Sequence, residues 1–263
     1  MKRPGPGGPP EIQSPSHLVG SLRGHIPVVS MAFSPNGRLL AAAGLGAGAR
    51  VWDVASGRKV RRLAIHRYTA YGVAFSPDGS LLAAAGGDET ARLWEVASGA
   101  AVQTLSGHTR QVCGVAFSPD GSLLATAGYD KTARLWRVST GLAVRRLSGH
   151  TSGVNKVTFS PDGSLLATAG MDKTVCLWEV ASGAAVRTLS GHTRGVNGVA
   201  FSPDGSLLAT GAGDTTVRLW EVASGAAVRT LSGHTSAVYG VAFSPDGSLL
   251  ATAGIDKTVR FWG

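Results

Sequence analysis

Hydrophobic and polar positions along the chain alternate in short segments of five to seven residues, separated by turn residues. The unit at residues 191–232 contains four of them, at 196–201, 206–211, 216–222 and 226–231. The first turn is Ser-Pro-Asp-Gly, in which proline presets φ, aspartate bonds its own backbone and glycine accepts positive φ. No segment keeps a helical period. The pattern therefore predicts four β-strands per unit, connected as an antiparallel meander.

This unit recurs along the chain with a period of 42 residues. Residues 149–190 and 191–232 are identical at 34 of 42 aligned positions. The six tryptophans keep the same step, at Trp52, Trp94, Trp136, Trp178, Trp220 and Trp262. A single four-stranded sheet cannot bury both of its faces, but sheets stacked radially bury them against their neighbours. We therefore predict an all-β fold, a propeller of six four-stranded antiparallel blades.

The period, the Gly-His that opens every unit except the second and the Trp of the third strand resemble the WD-repeat (WD40) family. The resemblance covers residues 17–263, and it implies a β-propeller that binds other proteins. The dipeptide that names the family is complete only at Trp52-Asp53, but the tryptophan is its structural member.

The last unit stops after its third strand, at Gly263, and a segment near the N-terminus can supply the fourth. Residues 17–22 align with 184–189, with Val19 matching Val186 and Leu22 matching Leu189. We predict that this segment pairs with the last blade, which removes an exposed edge and closes a six-bladed monomer. Since the family more often closes with seven blades, an open ring and two chains that share blades are the alternatives.

Units three to six each carry a His, a Thr, an Asp and a Trp at fixed offsets. These tetrads are His108/Thr126/Asp130/Trp136, His150/Thr168/Asp172/Trp178, His192/Thr210/Asp214/Trp220 and His234/Thr252/Asp256/Trp262. Hydroxyl, imidazole and carboxylate suggest a catalytic triad, but an enzyme needs one active site rather than four equal copies. The resemblance instead implies a structural hydrogen-bond network. Ala42 and Gly46 replace Thr and Asp in unit one, and Ala84 replaces Thr in unit two, so we predict that these two blades are the least stable.

Positions that vary among units three to six cluster at one end of the strands. The resemblance implies that partners bind on this face, and the alignment assigns Tyr71, Gln111, Cys113, Tyr129, Asn155, Met171, Asn197, Tyr239 and Ile255 to it, with Ser30 as the first-unit equivalent of Tyr71. Aromatic and Met side chains are favoured interface anchors. We hypothesise an apolar patch of Tyr129, Met171, Tyr239 and Ile255 beside Tyr71. Neutral drift at exposed positions is the alternative.

Composition and charge narrow the remaining function classes. The chain is 43% hydrophobic with two cysteines, and it has neither a membrane-spanning apolar run nor a secretory signal after Met1. We expect a cytoplasmic protein without metal or cofactor, in which Cys113 is an accessible thiol and Cys176 does not pair with it. The acidic residues mostly belong to turns and no phosphate loop is present, so we expect no enzymatic activity.

Two further function classes remain open on the sequence. Of the net charge of +9, residues 1–67 carry +8, which makes an anion- or nucleic-acid-binding propeller the alternative, with Arg58–Arg62 as its best support. The second open alternative is a recently duplicated or designed propeller that has no specific partner. Residues 1–16 contain five prolines and are predicted to be a disordered tail.

Overall fold

The computed structural model describes residues 28–45, 48–63 and 69–263. In those ranges the chain forms 23 strands and no helix. The strands are β1 (Val28–Phe33), β2 (Leu39–Gly44), β3 (Ala49–Asp53), β4 (Lys59–Leu63), β5 (Ala70–Phe75), β6 (Leu81–Gly86), β7 (Thr90–Glu95), β8 (Ala101–Ser106), β9 (Val112–Phe117), β10 (Leu123–Gly128), β11 (Thr132–Arg137), β12 (Ala143–Ser148), β13 (Val154–Phe159), β14 (Leu165–Gly170), β15 (Thr174–Glu179), β16 (Ala185–Ser190), β17 (Val196–Phe201), β18 (Leu207–Ala212), β19 (Val217–Glu221), β20 (Ala227–Leu231), β21 (Val238–Phe243), β22 (Leu250–Gly254) and β23 (Val259–Trp262).

These strands form six antiparallel sheets, each a meander in which strands adjacent in sequence are adjacent in the sheet. The first five sheets have four strands, and the last consists of β21, β22 and β23. The innermost strand of each blade packs against that of the next, from β1 against β5 to β17 against β21. The prediction of a six-bladed β-propeller is therefore confirmed.

The hydrophobic core lies between blades rather than within them. Between the third and fourth blades, Ala127 and Leu135 pack against Val157 and Trp178 in one buried cluster. The small residues of each second strand let the next blade approach closely, and the tryptophan of the third strand fills the outer part of the interface. Because each interface joins two sheets, a blade is stabilised mainly by its neighbours.

Ser-Pro-Asp-Gly turns of consecutive blades also contact one another at one end of the propeller. Gly163 has φ +74°, and a Cβ at this position would lie 3.4 Å from Cδ of Pro119 in the preceding blade. The same arrangement occurs at Gly79, Gly121, Gly205 and Gly247. In the first blade, Gly37 has no neighbour within 4 Å at the equivalent place. The turn of the first blade thus lacks the contact that every later turn makes.

A seam between the first and sixth blades stays open in the described part of the chain. Met31 and Phe33 of β1 are 70% and 61% exposed, whereas the equivalent Val73 and Phe75 of β5 are 6% and 9% exposed. We found no packing of β1 against β21 comparable to that of the other innermost pairs. Both apolar faces of the seam are therefore available for closure.

On the other side of this seam, Val259 and Phe261 of β23 are also exposed, while their fourth-blade counterparts Val175 and Leu177 are buried. The segment predicted to complete this blade, residues 17–22, lies outside the described residues, as do Gly46 of the first unit and the tail at 1–16. Closure of the ring by residues 17–22 therefore stays a prediction.

Candidate functional site

The two ends of the propeller carry different kinds of turn. The Ser-Pro-Asp-Gly turns lie at one end, which we call the bottom face. The other end carries the turns between second and third strands, such as residues 129–131, and the segments that lead into each innermost strand, such as 107–111. We call this end the top face, and the tetrads lie beneath it.

In the third blade the tetrad forms a continuous chain of hydrogen bonds. Trp136 Nε1 donates to Thr126 Oγ1 at 2.9 Å, and Thr126 Oγ1 lies 2.7 Å from His108 Nε2. His108 Nδ1 lies 2.9 Å from a carboxylate oxygen of Asp130, so the ring proton is placed on Nδ1 and the threonine hydroxyl donates to Nε2. The tetrads of Trp178, Trp220 and Trp262 repeat these bonds in the next three blades.

These groups are too deeply buried to act on a substrate. Thr126 is fully buried, and the side chains of His108 and Asp130 are 0% and 5% exposed. Burial lowers the pKa of His108, and the opposing influence of Asp130 is too small to reverse this, so the imidazole is neutral at pH 7. The tetrad is therefore a structural network, although it contains the residue types of a catalytic triad.

The threonines of the fifth and sixth blades, Thr210 and Thr252, are equally inaccessible. Thr210 is 0% exposed and Thr252 is 1% exposed. Their hydroxyls accept the indole N–H groups of Trp220 and Trp262, each at 2.9 Å, and lie 2.8 and 2.9 Å from Nε2 of the histidine in the same blade. The fixed offsets make Thr210 and Thr252 candidate site residues, but neither reaches the surface of the propeller. Their burial and hydrogen bonds agree with the structural role that the sequence predicts for them.

The tetrad of the fourth blade differs in its electrostatics. Cys176 stands there where the third blade has Arg134. Burial by itself would lower the pKa of His150, but interactions with Cys176 and Asp172 outweigh it, and the pKa lies above its usual value. The pKa values of His108 and His150 are therefore shifted in opposite directions, although their tetrads are chemically similar.

The aspartate of each tetrad also fixes two backbone segments of the top face. Asp130 accepts hydrogen bonds from the amides of Thr109 at 3.1 Å and Thr132 at 3.1 Å. Burial would raise the pKa of Asp130, but its hydrogen bonds, led by that from the Thr132 hydroxyl, outweigh this and lower it. Between these anchors Lys131 adopts φ 68°, a left-handed conformation that costs a non-glycine residue free energy. The turn is thus held rigidly enough to present its side chains.

A β-bulge at the start of each innermost strand turns one side chain into the channel. In the fourth blade Val154 pairs with Gly170 and Lys156 pairs with Ala169, which leaves Asn155 as the extra residue. Bulges of this kind re-aim side chains and are common beside binding sites. The six bulge residues are Val29, Tyr71, Cys113, Asn155, Asn197 and Tyr239.

This ring corrects one residue of the sequence alignment. The alignment equates Ser30 with Tyr71, but the paired strands place Val29 there, because Val28 pairs with Gly44 and Ser30 with Ala43. The error arises because the first two histidines of the series, His25 and His66, are 41 residues apart rather than 42. Ser30 instead accepts a hydrogen bond from the backbone amide of Val73 at 3.3 Å.

The bulge ring surrounds a cavity of about 470 Å³ at the top of the channel. Seven residues assigned to the face from sequence line it: Tyr71, Cys113, Tyr129, Asn155, Met171, Asn197 and Tyr239. Val29, Lys156 and Arg194 are among the further lining residues. Asn155 Nδ2 donates to the carbonyl of Val196 at 2.8 Å, so the ring is tied across neighbouring blades.

All six units match one family model, described as WD domain, G-beta repeat, over residues 16–53, 57–95, 99–137, 141–179, 183–221 and 225–263. The chain belongs to the WD40 repeat family. Each of the five later matches begins just before the fourth strand of the preceding blade, so the match that starts at residue 16 includes the counterpart of this strand at 17–22. A search of curated proteins finds no match to the chain.

WD40 propellers generally serve as protein-interaction scaffolds. Of the nine residues that the sequence assigned to the top face, two lie outside the lining of the cavity. Gln111 reaches the site indirectly, through a contact of 3.4 Å between its Oε1 and the Tyr71 hydroxyl. Ile255 is 58% exposed on the same face but is not in the lining that the described residues form. Tyr129 and Met171 do come together, on either side of Gly153.

The accessible thiol predicted at Cys113 is wrong. Cys113 is 9% exposed, and burial raises the pKa of its thiol to about 12, which keeps it protonated and unreactive at neutral pH. Its side chain lies against Tyr129 of the same blade, and the pKa of Tyr129 is likewise raised to about 12, mainly by burial. Cys176 is also buried and free.

Sequence analysis missed Lys156. Four blades have glycine at this position, namely Gly72, Gly114, Gly198 and Gly240. The signal was present in the repeat, because a charged residue here departs from an otherwise small position. Among the repeats, Lys156 is thus the exceptional base at a channel position where no exceptional acid occurs.

Other classes of site were sought in the same residue ranges. They contain no group of three or more His, Cys, Asp or Glu side chains placed to hold a metal ion. They also contain no helix with the length and apolarity needed to cross a membrane.

Proposed function

We propose that the protein is an interaction scaffold that binds a partner protein or peptide at the top cavity. The observation that carries this proposal is the ring of bulges, which aims Tyr71 and Tyr239 into the channel mouth beside Tyr129 and Met171. Tyr239 and Met171 are 55% and 47% exposed although they lie on a rigid frame. Large side chains held in place for contact lose little conformational entropy when a partner binds.

The repeat itself supports this assignment. Blades three to six share their tetrads, turns and interfaces, and much of their variation falls on the top face. A scaffold that is constant apart from one presented surface suits recognition of a specific partner. The alternative of nucleic-acid binding through the basic first quarter is weaker, because Arg61 of that segment is engaged with the carbonyls of Val60 and Ala97.

Affinity capture from a lysate of the organism that encodes the chain, quantified by mass spectrometry, tests the proposal. Three forms are compared: the wild type, the double variant Tyr129→Ala/Tyr239→Ala, and the control Val186→Ala/Val228→Ala. The control removes two exposed apolar side chains from the outer strands β16 and β20. A partner retained by the control and lost by the tyrosine variant supports the proposal.

Partners captured equally by all three forms would contradict it. Binding that falls steeply as salt is raised, together with recovery of nucleic acid, would favour the alternative. The cytoplasmic location predicted from the sequence stays a prediction.

A further inference from the structure

Lys156 introduces a positive charge into the wall of the propeller channel. It lines the top cavity and also a second cavity of about 750 Å³ that extends to the bottom face. The lysine therefore lies where the two cavities adjoin, below the bulge ring. Glycine at the equivalent position of the fifth blade, Gly198, leaves space for the long side chain beside the adjacent innermost strand.

This charge has no counter-ion within the described residues. No hydrogen bond or ion pair to Lys156 is present there, and no Asp or Glu lines either cavity. Burial lowers the pKa of Lys156 because the ammonium form loses hydration. Placing an unpaired ammonium in the channel costs free energy, and the four blades with glycine show that the fold does not need it.

Charges around the mouth of the channel have the same sign. Five exposed cations lie on the top face, at Arg110, Lys131, Lys173, Arg194 and Lys257. Among the described turns of the top face the exposed acid is Glu89, whereas the tetrad aspartates are engaged in hydrogen bonds. Such a rim attracts an anionic partner and guides it towards the channel.

We propose that the partner inserts an Asp or Glu side chain into the top cavity, where its carboxylate pairs with Lys156. This inference rests on the proposed function and specifies which chemistry the face recognises. A cavity of about 470 Å³ admits one or two side chains of an extended peptide. Phosphate groups are usually held by clusters of arginine, whereas this cavity has one lysine, the single arginine Arg194 and nearby tyrosine hydroxyls, a set that suits a carboxylate.

A phage-displayed library of random linear peptides, selected on the full chain, tests this proposal. We expect the enriched peptides to share an acidic residue. Replacing that residue by its amide should weaken binding by on the order of 30-fold, the effect of losing one charge-assisted hydrogen bond. Lys156→Met should cause a similar loss, and combining the two changes should cause little further loss.

Two variants control for fold and for general charge. Lys156→Gly takes the residue of four other blades, so it should remain folded and bind as weakly as Lys156→Met. Lys173→Met removes an exposed cation of the rim and should change affinity by less than about threefold.

The possible results separate this inference from the proposed function. Peptides without an acidic residue, or acidic peptides that bind Lys156→Met as tightly as the wild type, would overturn the inference. If those peptides still lose binding to Tyr129→Ala/Tyr239→Ala, the interaction face stands without the charge pairing. A library that yields no binder would overturn both. Lys156-dependent binding of a single-stranded DNA oligonucleotide in place of peptides would also overturn the inference.

Discussion

Removing one threonine hydroxyl from a tetrad should destabilise the propeller far more than the small size of the hydroxyl group suggests. Thr168 is fully buried and accepts the indole N–H of Trp178 at 2.9 Å, and its Oγ1 lies 2.8 Å from His150 Nε2. Thr168→Val keeps the shape of the side chain but removes the hydroxyl. Trp178 Nε1 and His150 Nε2 then stay buried without their hydrogen-bond partner. Two hydrogen bonds of about 1 kcal/mol each, together with the cost of unsatisfied polar groups, predict a loss of about 2–4 kcal/mol in unfolding free energy.

Equilibrium unfolding in urea, followed by tryptophan fluorescence and far-ultraviolet circular dichroism, measures this loss. Thr168→Ser retains the hydroxyl and removes one methyl group, so it should cost only about 1 kcal/mol. Thr230→Val, at an exposed position of β20, should change stability by less than about 0.5 kcal/mol. Hydrogen exchange of β14 and β15 would localise the effect. If Thr168→Val and Thr168→Ser were equally destabilising, the hydrogen bonds would not be its source.

Four further predictions follow from the same structure. Lowering the pH from 7.5 to 5.5 should reduce the unfolding free energy, because the lowered pKa values of His108 and His192 make the folded state favour neutral imidazole and together outweigh the opposite contribution of His150, whose pKa is raised; stabilisation on acidification would contradict this. A second loss is expected between about pH 4 and 2, where Asp204, whose pKa is lowered to about 2 by hydrogen bonds from Ser202 and Ser206, becomes protonated; a flat urea midpoint over this range would count against it. Cys113 should react with iodoacetamide at pH 8 much more slowly than in the urea-unfolded chain, and equal rates would refute its burial. Backbone amides of β1–β8 should exchange faster than those of β9–β16, whereas uniform protection would reject the expected weakness of the first two blades.

Ring closure can be tested apart from blade stability. If residues 17–22 complete the sixth blade, Leu22→Asp should lower the unfolding free energy, because Leu22 aligns with Leu189, which is buried in the fourth blade. Glu11→Ala, in the predicted tail, is the control. Light scattering of the wild type should give a mass near 26.8 kDa. Unchanged stability of Leu22→Asp, or a wild-type mass well above this value, would favour an open ring or blade sharing.

The sequence predicts well what one unit determines by itself. Strand boundaries follow from apolar alternation and from the turn residues, and the six-bladed propeller follows from counting units. Residues within one tetrad lie in one blade, so their fixed offsets indicate which side chains can meet. The sequence did not predict that Gln111 and Ile255 lie outside the cavity lining, because their distance from the cavity depends on how far each turn leans towards the channel.

Features that depend on two blades were harder to predict. Cys113 occupies a ring position that looks accessible in a single unit, but in the assembled propeller it is only 9% exposed. Whether the seam closes depends on the rotation between successive blades, summed around the ring, and no single 42-residue unit encodes that sum. The assignment of Ser30 instead of Val29 to the bulge ring has a different origin. The sequence alignment followed the spacing of the histidines, whereas the strand register follows the pairing of Phe33 with Leu40.

Near identity of the blades also limits where specificity can arise. Residues repeated in every unit can only produce a surface that looks the same from each blade, and such a surface binds an asymmetric peptide equally well in several rotations. Asymmetry at the channel mouth must come from residues that differ, such as Tyr239 beside the asparagines of the bulge ring and Lys156 below them. The charge of Lys156 at the base of the cavity, below the exposed Arg194 of its rim, can select one rotation and one anchor residue. Lys156 would therefore set the orientation of a bound segment as well as its affinity.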